Sequence, residues 1–266
     1  MFGIAEVSAI PVRAEADERS EMVTQVLFGE SFTILEEQPK WFKIRIDTDG
    51  YEGWIDSKMA TLLTEAQYRN IQQAEVFVTT QSVNVIQELN EEFPQMVYAA
   101  SVFPNYNDHT HQFKIGENTY QWLNPDDEDE EIGFSETLQE KIGSVALSYI
   151  NTPYLWGGKT HWGIDCSGFV QSVFNICGIR LPRDASQQAL QGTTVNMIHE
   201  IEAGDLAFFG NEENITHVGI LLDTDEIIHA SGKVRIDRFD QQGIFDEKQD
   251  RYTHSLKVIK RIIQEK

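Results

Sequence analysis

The sequence predicts an α+β domain preceded by small all-β barrels. Three observations predict it. Short alternating apolar runs, cut by turn residues, fill the first 125 positions. An acidic run, Asp126-Asp127-Glu128-Asp129-Glu130-Glu131, interrupts them. Beyond it, two apolar stripes of helical period come before a set of short strands, and helices followed by strands make the α+β pattern.

Taken in order, residues 7–12, 22–28, 31–36, 41–46 and 53–55 read as strands, with Gly29-Glu30 and Asp47-Thr48-Asp49-Gly50 as turns. Five short strands at this spacing make a small barrel over residues 1–58. Residues 57–73 carry Met59, Leu62, Leu63, Ala66 and Ile71 on one side of a helix, which predicts a helical connector, 59–73. Strand signals return at 75–79, 83–87, 95–103, 112–115 and 120–123, a second and degenerate barrel over 74–125. His109 and His111 beside Asp108 read as a turn, since no further ligands stand at zinc spacing. Residues 126–134 read as a solvated acidic linker. A calcium loop needs interleaved ligands and a placed glycine, which this run lacks.

The domain from 135 to 266 opens with a helical stripe, Leu138, Ile142, Val145 and Tyr149. A second helix starts at Cys166, buries Phe169, Val170, Val173, Phe174 and Cys177, and ends at Gly178 before Pro182. The stretch Leu181-Pro182-Arg183-Asp184-Ala185-Ser186-Gln187-Gln188 starts another helix. Residues 205–209, 217–222, 227–231 and 233–238 supply an antiparallel sheet.

At 266 residues, two or three domains are expected. With 41% hydrophobic and 24% charged residues the composition is that of a soluble protein. A net charge of −22 argues against nucleic acid and anionic membrane surfaces as partners, and neither is expected. Met1 is followed by no basic segment and long apolar run, so no signal peptide and a cytoplasmic location are expected. Cys177 lies on the helix of Cys166, about 16 Å further along its axis. A disulfide spans about 7 Å between Cα atoms. Two free thiols are therefore expected, in keeping with a reducing compartment.

Chemistry concentrates around Cys166. A thiol in the first turn of a helix sits near unpaired N–H groups and the positive end of the macrodipole. Both favour the thiolate, which attacks carbonyls, so a pKa below about 8.5 is expected. Tyr154-Leu155-Trp156-Gly157-Gly158 leaves open space before it, and polar Asp165 and Ser167 flank it. A nucleophile needs a base, and a base an orienting partner. His217 to Leu222 and Glu226 to Ser231 read as a hairpin whose turn is Asp223-Thr224-Asp225. That register sets His217 opposite Ser231 and puts His229 on the face of His217, diagonally and within reach. A slip of one residue would separate them.

The order Cys166, His217, His229, the Asp165-Cys166-Ser167-Gly168 helix start, the Tyr154-x-Trp156-Gly157-Gly158 loop and the Thr216-His217-Val218-Gly219-Ile220 strand resemble the NlpC-type, papain-like cell-wall cysteine peptidases. The resemblance covers the last half of the chain. The first 58 residues, ending in Gly53-Trp54-Ile55, resemble bacterial SH3-like domains. The implied architecture is an α+β papain-like peptidase domain behind small all-β SH3-like barrel domains.

The resemblance implies that Cys166 is the nucleophile, His217 the base and His229 its orienting partner, with Tyr154 beside the nucleophile to help hold the oxyanion. The same order of domains is similar to that of the γ-D-glutamyl-L-diamino acid endopeptidases, or dipeptidyl-peptidases VI. These cleave murein stem peptides with a free N-terminal L-Ala and recycle them in the cytoplasm. Substrate contacts are then expected at Asp165, Ser167, Trp156 and Ser186, with Glu15 and Tyr51 from the first barrel reading the free amine; Glu18, Glu21 and Glu30 are the substitutes for Glu15. No cofactor and no metal are expected, because no cluster of ligands shows in the sequence. The competing readings are a secreted hydrolase of intact peptidoglycan, an acyltransferase or amidase of the same broad fold, and a non-catalytic wall-peptide binding module.

Overall fold

The structure is a computed structural model that describes residues 1–125, 137–211 and 213–263. The chain divides into two compact units, Met1–Phe134 and Ser135–Lys266. The acidic run at 126–134 falls outside the described residues.

In the first unit, β1 (Phe2–Ala5), β2 (Ala9–Arg13), β3 (Met22–Leu27), β4 (Ser31–Glu37), β5 (Trp41–Ile46), β6 (Glu52–Asp56) and β7 (Ala60–Leu63) form one antiparallel sheet in the order β3-β2-β6-β5-β4-β1-β7. Alternate residues bury, as in β2, where Ile10 and Val12 point inward with Val26, Phe32, Ile34, Ile44, Ile46 and Ile55. β1 is a strand the sequence reading missed. The predicted helix at 57–73 is corrected as well. Residues 60–63 pair with β1, Leu62 facing Gly3, and helix α1 (Glu65–Gln73) begins only after Thr64. There Thr64 and Gln67 form a reciprocal cap that fixes the start.

The second set of strands is β8 (Val76–Val78), β9 (Val83–Glu88), β10 (Gln95–Tyr98), β11 (Val102–Pro104), β12 (Gln112–Ile115) and β13 (Asn118–Trp122). They make a four-stranded sheet, β10-β9-β13-β12, and a two-stranded one, β11-β8. The single strand expected over 95–103 is cut in two, because Ala100 turns left-handed at φ 66° and Ser101 N–H bonds back to Tyr98 O. This set does not have a core to itself. Ile4 and Phe28 from the first sheet pack with Ile86, Val97, Phe103, Phe113, Ile115, Tyr120 and Trp122. Phe28 meets Phe103, Phe113 and Tyr120 edge-on. Gly29 next to it has φ 80°, and a Cβ there would lie 1.8 Å from the carbonyl oxygen of Val102. Only glycine lets the β3–β4 turn press so closely on β11.

The second unit opens with helix α2 (Leu138–Ser148), capped reciprocally by Thr137 and Glu140. The short hairpin β14 (Lys159–Thr160) and β15 (Gly163–Ile164) leads into α3 (Cys166–Ile176), followed by α4 (Ala185–Gln188). Then come β16 (Thr193–Val195), β17 (Leu206–Gly210), β18 (Ile215–Leu221), β19 (Glu226–Ser231), β20 (Lys233–Asp240), β21 (Gly243–Asp246) and β22 (Arg251–Arg261). The sheet order is β16-β22-β17-β18-β19-β20-β21. β22 pairs with β17 through its second half and with β21 through its first, so the pairing runs round in a ring. Ala207, Phe209, Leu221, Ile227, Phe239 and Ile244 form one buried cluster of that ring. α3 packs on β18 and β19.

Candidate active site

The Cys166 sulfur is placed by the start of α3. Asp165 caps the helix by accepting the N–H of Gly168 at 2.7 Å, and its other oxygen accepts the N–H of Gly157 at 2.8 Å. Arg183 then grips both oxygens, at 3.0 and 2.5 Å, and donates to Ser167 Oγ at 2.8 Å. Arg183 is only 2% exposed, and Asp165 5%. A buried, two-pronged ion pair therefore welds the loop, the helix start and the segment before α4 together. Gln188 adds two bonds, to the carbonyls of Ser167 and Pro182.

Cys166 is buried and Cys177 half-buried, and neither is in a disulfide. The expected thiolate is corrected. Burial, then Asp165 beside it, push the thiol up to about 11, and the N–H groups of Val218 and Ser167 with Arg183 offset this only in part. Desolvation of a charged sulfur outweighs the helix terminus here. The contact with Val218 N–H brings the thiol to β18, the strand that carries His217 one residue earlier.

The hairpin register is the one the sequence predicted. Gly219 faces His229, Ile220 faces Ile228 and Leu221 faces Ile227. His217 Nε2 lies 2.8 Å from His229 Nδ1. Gly219 makes the room, since a Cβ on it would stand 2.9 Å from that of His229. The far nitrogen of His229, Nε2, lies 2.9 Å from Asp237 Oδ2. Arg235 donates to Asp237 at 2.6 Å and to Asp246 at 3.1 Å. Burial would raise Asp237, but the hydrogen bonds from His229 and Arg235 hold it below the usual carboxylate range.

This line fixes tautomers. The Asp237 carboxylate only accepts, so His229 Nε2 carries the hydrogen. When the ring carries that hydrogen alone, Nδ1 accepts from His217 Nε2–H, which leaves His217 Nδ1 as a bare acceptor. Burial first, then His229 and His254, hold His217 well below 6.5, so the ring is a neutral base at ordinary pH.

Tyr154 stands near the thiol. Burial, then Cys166 and Asp165, push its hydroxyl up to about 12, which keeps it a donor. Among the expected substrate contacts, Trp156 and Ser186 are exposed, and Ser167 is buried and tied to Arg183. Both oxygens of Asp165 are already engaged, so a substrate ammonium would share this carboxylate rather than own it. Glu15 and Tyr51 belong to the first unit, Glu15 exposed in the β2–β3 loop and Tyr51 half-buried just before β6. Of the substitutes, Glu18 pairs with Lys40, and Glu30 is buried with its carboxylate on the N–H of Leu27.

The sequence reading missed Arg183, Asp237 and His254 as residues of the site. Asp237 was open to the diagonal rule that found His229. In the next hairpin Arg235 faces His229, and Asp237 is two residues on, sharing its face. His254 was lost because β22 was not recognised as a strand, although His254, Leu256 and Val258 alternate with exposed Thr253, Ser255 and Lys257. Its ring stacks on His217, centroids 4.2 Å apart and planes at 27°. A ligating atom from each of His217, His229 and His254 falls within 4.8 Å of the others, a grouping that does not show in the sequence.

Comparison with known proteins adds the following. The sequence model of the NlpC/P60 family matches residues 151–253, and that of the bacterial dipeptidyl-peptidase Sh3 domain matches residues 12–59. The chain is 30% identical over 249 residues to dipeptidyl-peptidase 6 of Lysinibacillus sphaericus, covering 86% of this chain and 88% of that protein. It is 29% identical over 217 residues to the γ-D-glutamyl-L-lysine dipeptidyl-peptidase of Bacillus subtilis (strain 168), covering 78% of this chain and 71% of the relative. In fold, it matches the crystal structure of an NlpC/P60 family protein from Bacillus cereus ATCC 10987 with a TM-score of 0.81, over 99% of this chain and 100% of that one, at 17% identity.

Proposed function

Because the chain belongs to the NlpC/P60 family of cysteine peptidases, with a bacterial dipeptidyl-peptidase SH3 region before the peptidase domain, we propose that it cleaves the γ-D-glutamyl–L-diamino acid bond of stem peptides whose N-terminal L-Ala is free. The family acts on peptidoglycan peptides. The finer choice of bond follows the names of the two relatives above, and the free L-Ala follows the resemblance to the recycling peptidases.

The observation that carries the mechanism is the line His217–His229–Asp237 beside a helix-opening cysteine. The Cys166 thiol gives its proton to His217 Nδ1 as the sulfur attacks the γ-carbonyl of D-Glu. The carbonyl π pair moves to oxygen, and Tyr154 O–H and nearby N–H groups meet the developing charge. Collapse expels the amine of the diamino acid, which takes the proton from His217. Water, deprotonated by the same ring, then attacks the thioester; the C–S bond breaks to release L-Ala-D-Glu, and the proton passes from His217 back to the Cys166 sulfur. Asp237 fixes His229, and His229 fixes His217, throughout.

By the same resemblance to the recycling peptidases, we assign the reaction to murein peptide recycling in the cytoplasm; that neither cysteine is in a disulfide is in keeping with a reducing compartment. The test uses L-Ala-γ-D-Glu-diamino acid tripeptides, free and N-acetylated, with release of L-Ala-D-Glu followed by mass spectrometry. The free peptide should be cleaved, and acetylation should lower kcat/KM on the order of 10²-fold, the cost of breaking a buried charge pair on one side. Equal cleavage of both, or faster cleavage of intact sacculi, overturns the free-terminus reading and leaves a general wall peptidase. Glu15→Gln and Tyr51→Phe, run on the same pair of peptides, show whether the first unit contributes to that preference.

A further inference from the structure

Peptide cleavage in this mechanism uses two of the three clustered imidazoles. The third, His254, comes from a different strand and has no part in moving the proton. It lies face to face with His217, and its ring centroid is 5.6 Å from that of His229. Each of the three offers one nitrogen, and these atoms lie within 4.8 Å of one another. Behind His229 sits Asp237 at 2.9 Å, the carboxylate–histidine arrangement that orients and strengthens a metal-ligating imidazole. His254 is only half-buried, which leaves a way in from solvent. Three imidazoles are a donor set for zinc, cobalt, nickel or copper rather than for magnesium or calcium.

We propose that His217, His229 and His254 form a site for a divalent transition ion of the zinc type, and that filling it switches the peptidase off. The switch follows from the tautomers. The ion takes the lone pairs of His217 Nε2, His229 Nδ1 and one nitrogen of His254, with water in the fourth position. His217 Nε2–H no longer points at His229, and the hydrogen of the neutral ring moves to Nδ1. No proton is lost and no electron is transferred. Nδ1 is now a donor and cannot accept the proton of Cys166. The His217 and His229 nitrogens, 2.8 Å apart, open to about 3.3 Å for two Zn–N bonds of about 2.0 Å at a tetrahedral angle, and the half-buried His254 tilts out of its stack on His217 to bring its nitrogen to the same spacing. The inhibition rests on the peptidase reading above, whereas the binding does not.

Two measurements separate these halves. Cobalt(II) chloride is titrated into the chelator-treated, desalted full chain and into Cys166→Ala, with visible absorption as the readout. The expected result is one equivalent bound with a nitrogen-ligand cobalt spectrum in both proteins, and no sulfur charge-transfer band. His254→Gln and His254→Asn, each checked for native circular dichroism, should bind at least about tenfold more weakly, the lower bound set by losses of mere supporting groups. Zinc chloride should then inhibit tripeptide cleavage reversibly with EDTA. In the two His254 variants, each referred to its own metal-free rate, the half-inhibiting zinc concentration should rise by a similar factor. Cobalt binding that vanishes in Cys166→Ala, or that ignores both His254 variants, overturns the site in favour of a Cys166–His217 metal trap. Binding as expected with unimpaired cleavage in saturating zinc overturns the switch and keeps the site. Cobalt binding in a chain that cleaves no peptide leaves the site standing and sinks the peptidase reading instead.

Discussion

The two units bury different chemistry. The first closes on aliphatic and aromatic side chains, and Phe28 alone meets three rings at its centre. The second buries Asp165, Arg183, Asp205, His217, His229 and Asp246. Apolar burial stabilises a fold without regard to direction. Buried charges and imidazoles must each be paired, and they cost stability if one partner goes. The unit that carries the reactive groups is thus held by directional bonds, and these hold it only while every partner is present.

The largest effect expected from breaking this contrast is on turnover. Cys166→Ala should reduce tripeptide cleavage by on the order of 10⁴-fold or more with the fold unchanged, whereas Cys177→Ser, at the other end of α3, should keep near-normal rates. Labelling of Cys166 by iodoacetamide should rise about tenfold per pH unit between 7 and 10, because burial holds the thiol near 11. A plateau reached below pH 8 would show that the helix terminus wins over desolvation after all.

Next come the paired core deletions. Arg183→Ala strands Asp165 in a buried site and should cost about 3–5 kcal/mol, confined to the second unit. Phe28→Ala should cost a similar 3–5 kcal/mol, confined to the first. Hydrogen exchange resolved by peptide would assign each loss. If Arg183→Ala left exchange in the second unit unchanged, the ion pair would not be its organising bond.

Asp237→Asn should act more gently. It leaves the packing but lets His229 present either tautomer, so kcat should fall about 10–100-fold, as when a supporting group behind a functional histidine is lost. KM should hardly change. An equal loss in kcat and in global stability would mean that Asp237 is a structural residue only.

The smallest effect concerns acid. His217 is held well below the ordinary value of 6.5, and His161 and His254 are each held at about 4, all three chiefly by burial. Between pH 6.5 and 4 the unfolded chain binds these protons and the folded chain does not. Stability of the second unit is therefore fully present above 6.5 and falls as the pH drops toward 4. Among the described residues the first unit buries no histidine, so its exchange pattern should shift less over this interval. Parallel loss in both units, measured in chelator, would remove histidine as the cause.

Much of the site was legible because it is local. The diagonal of His217 and His229 needs only a three-residue turn and the period of two, and the structure has that register. The helix start at Cys166 follows from Asp165, the glycines and the apolar stripe. Three things were not legible in the same way. Arg183 belongs to the helix cap of α3 through a contact 18 residues away in sequence, which no periodicity reports. His254 reaches the cluster only because β22 closes the ring of strands. The sign of the Cys166 shift depends on how deeply the thiol is desolvated, a property of the packed state. Likewise, Leu62 and Leu63 fit a helix face in isolation, and it is pairing with β1 that makes them a strand.

Phe28 and Gly29 carry a consequence for protein engineering. The residues that resemble a free-standing SH3-like domain end near position 58, and that is where a modular parts list would cut. Yet Phe28 supplies the middle of its neighbour's interior, and Gly29 seats the β3–β4 turn against Val102. A cut at 58 would leave one fragment with a bare aromatic ring on its surface and the other with a hole of the same shape. The interchangeable part in this chain is the whole of Met1–Phe134, and recombination that keeps the first barrel while exchanging the second must also choose a new residue for position 28.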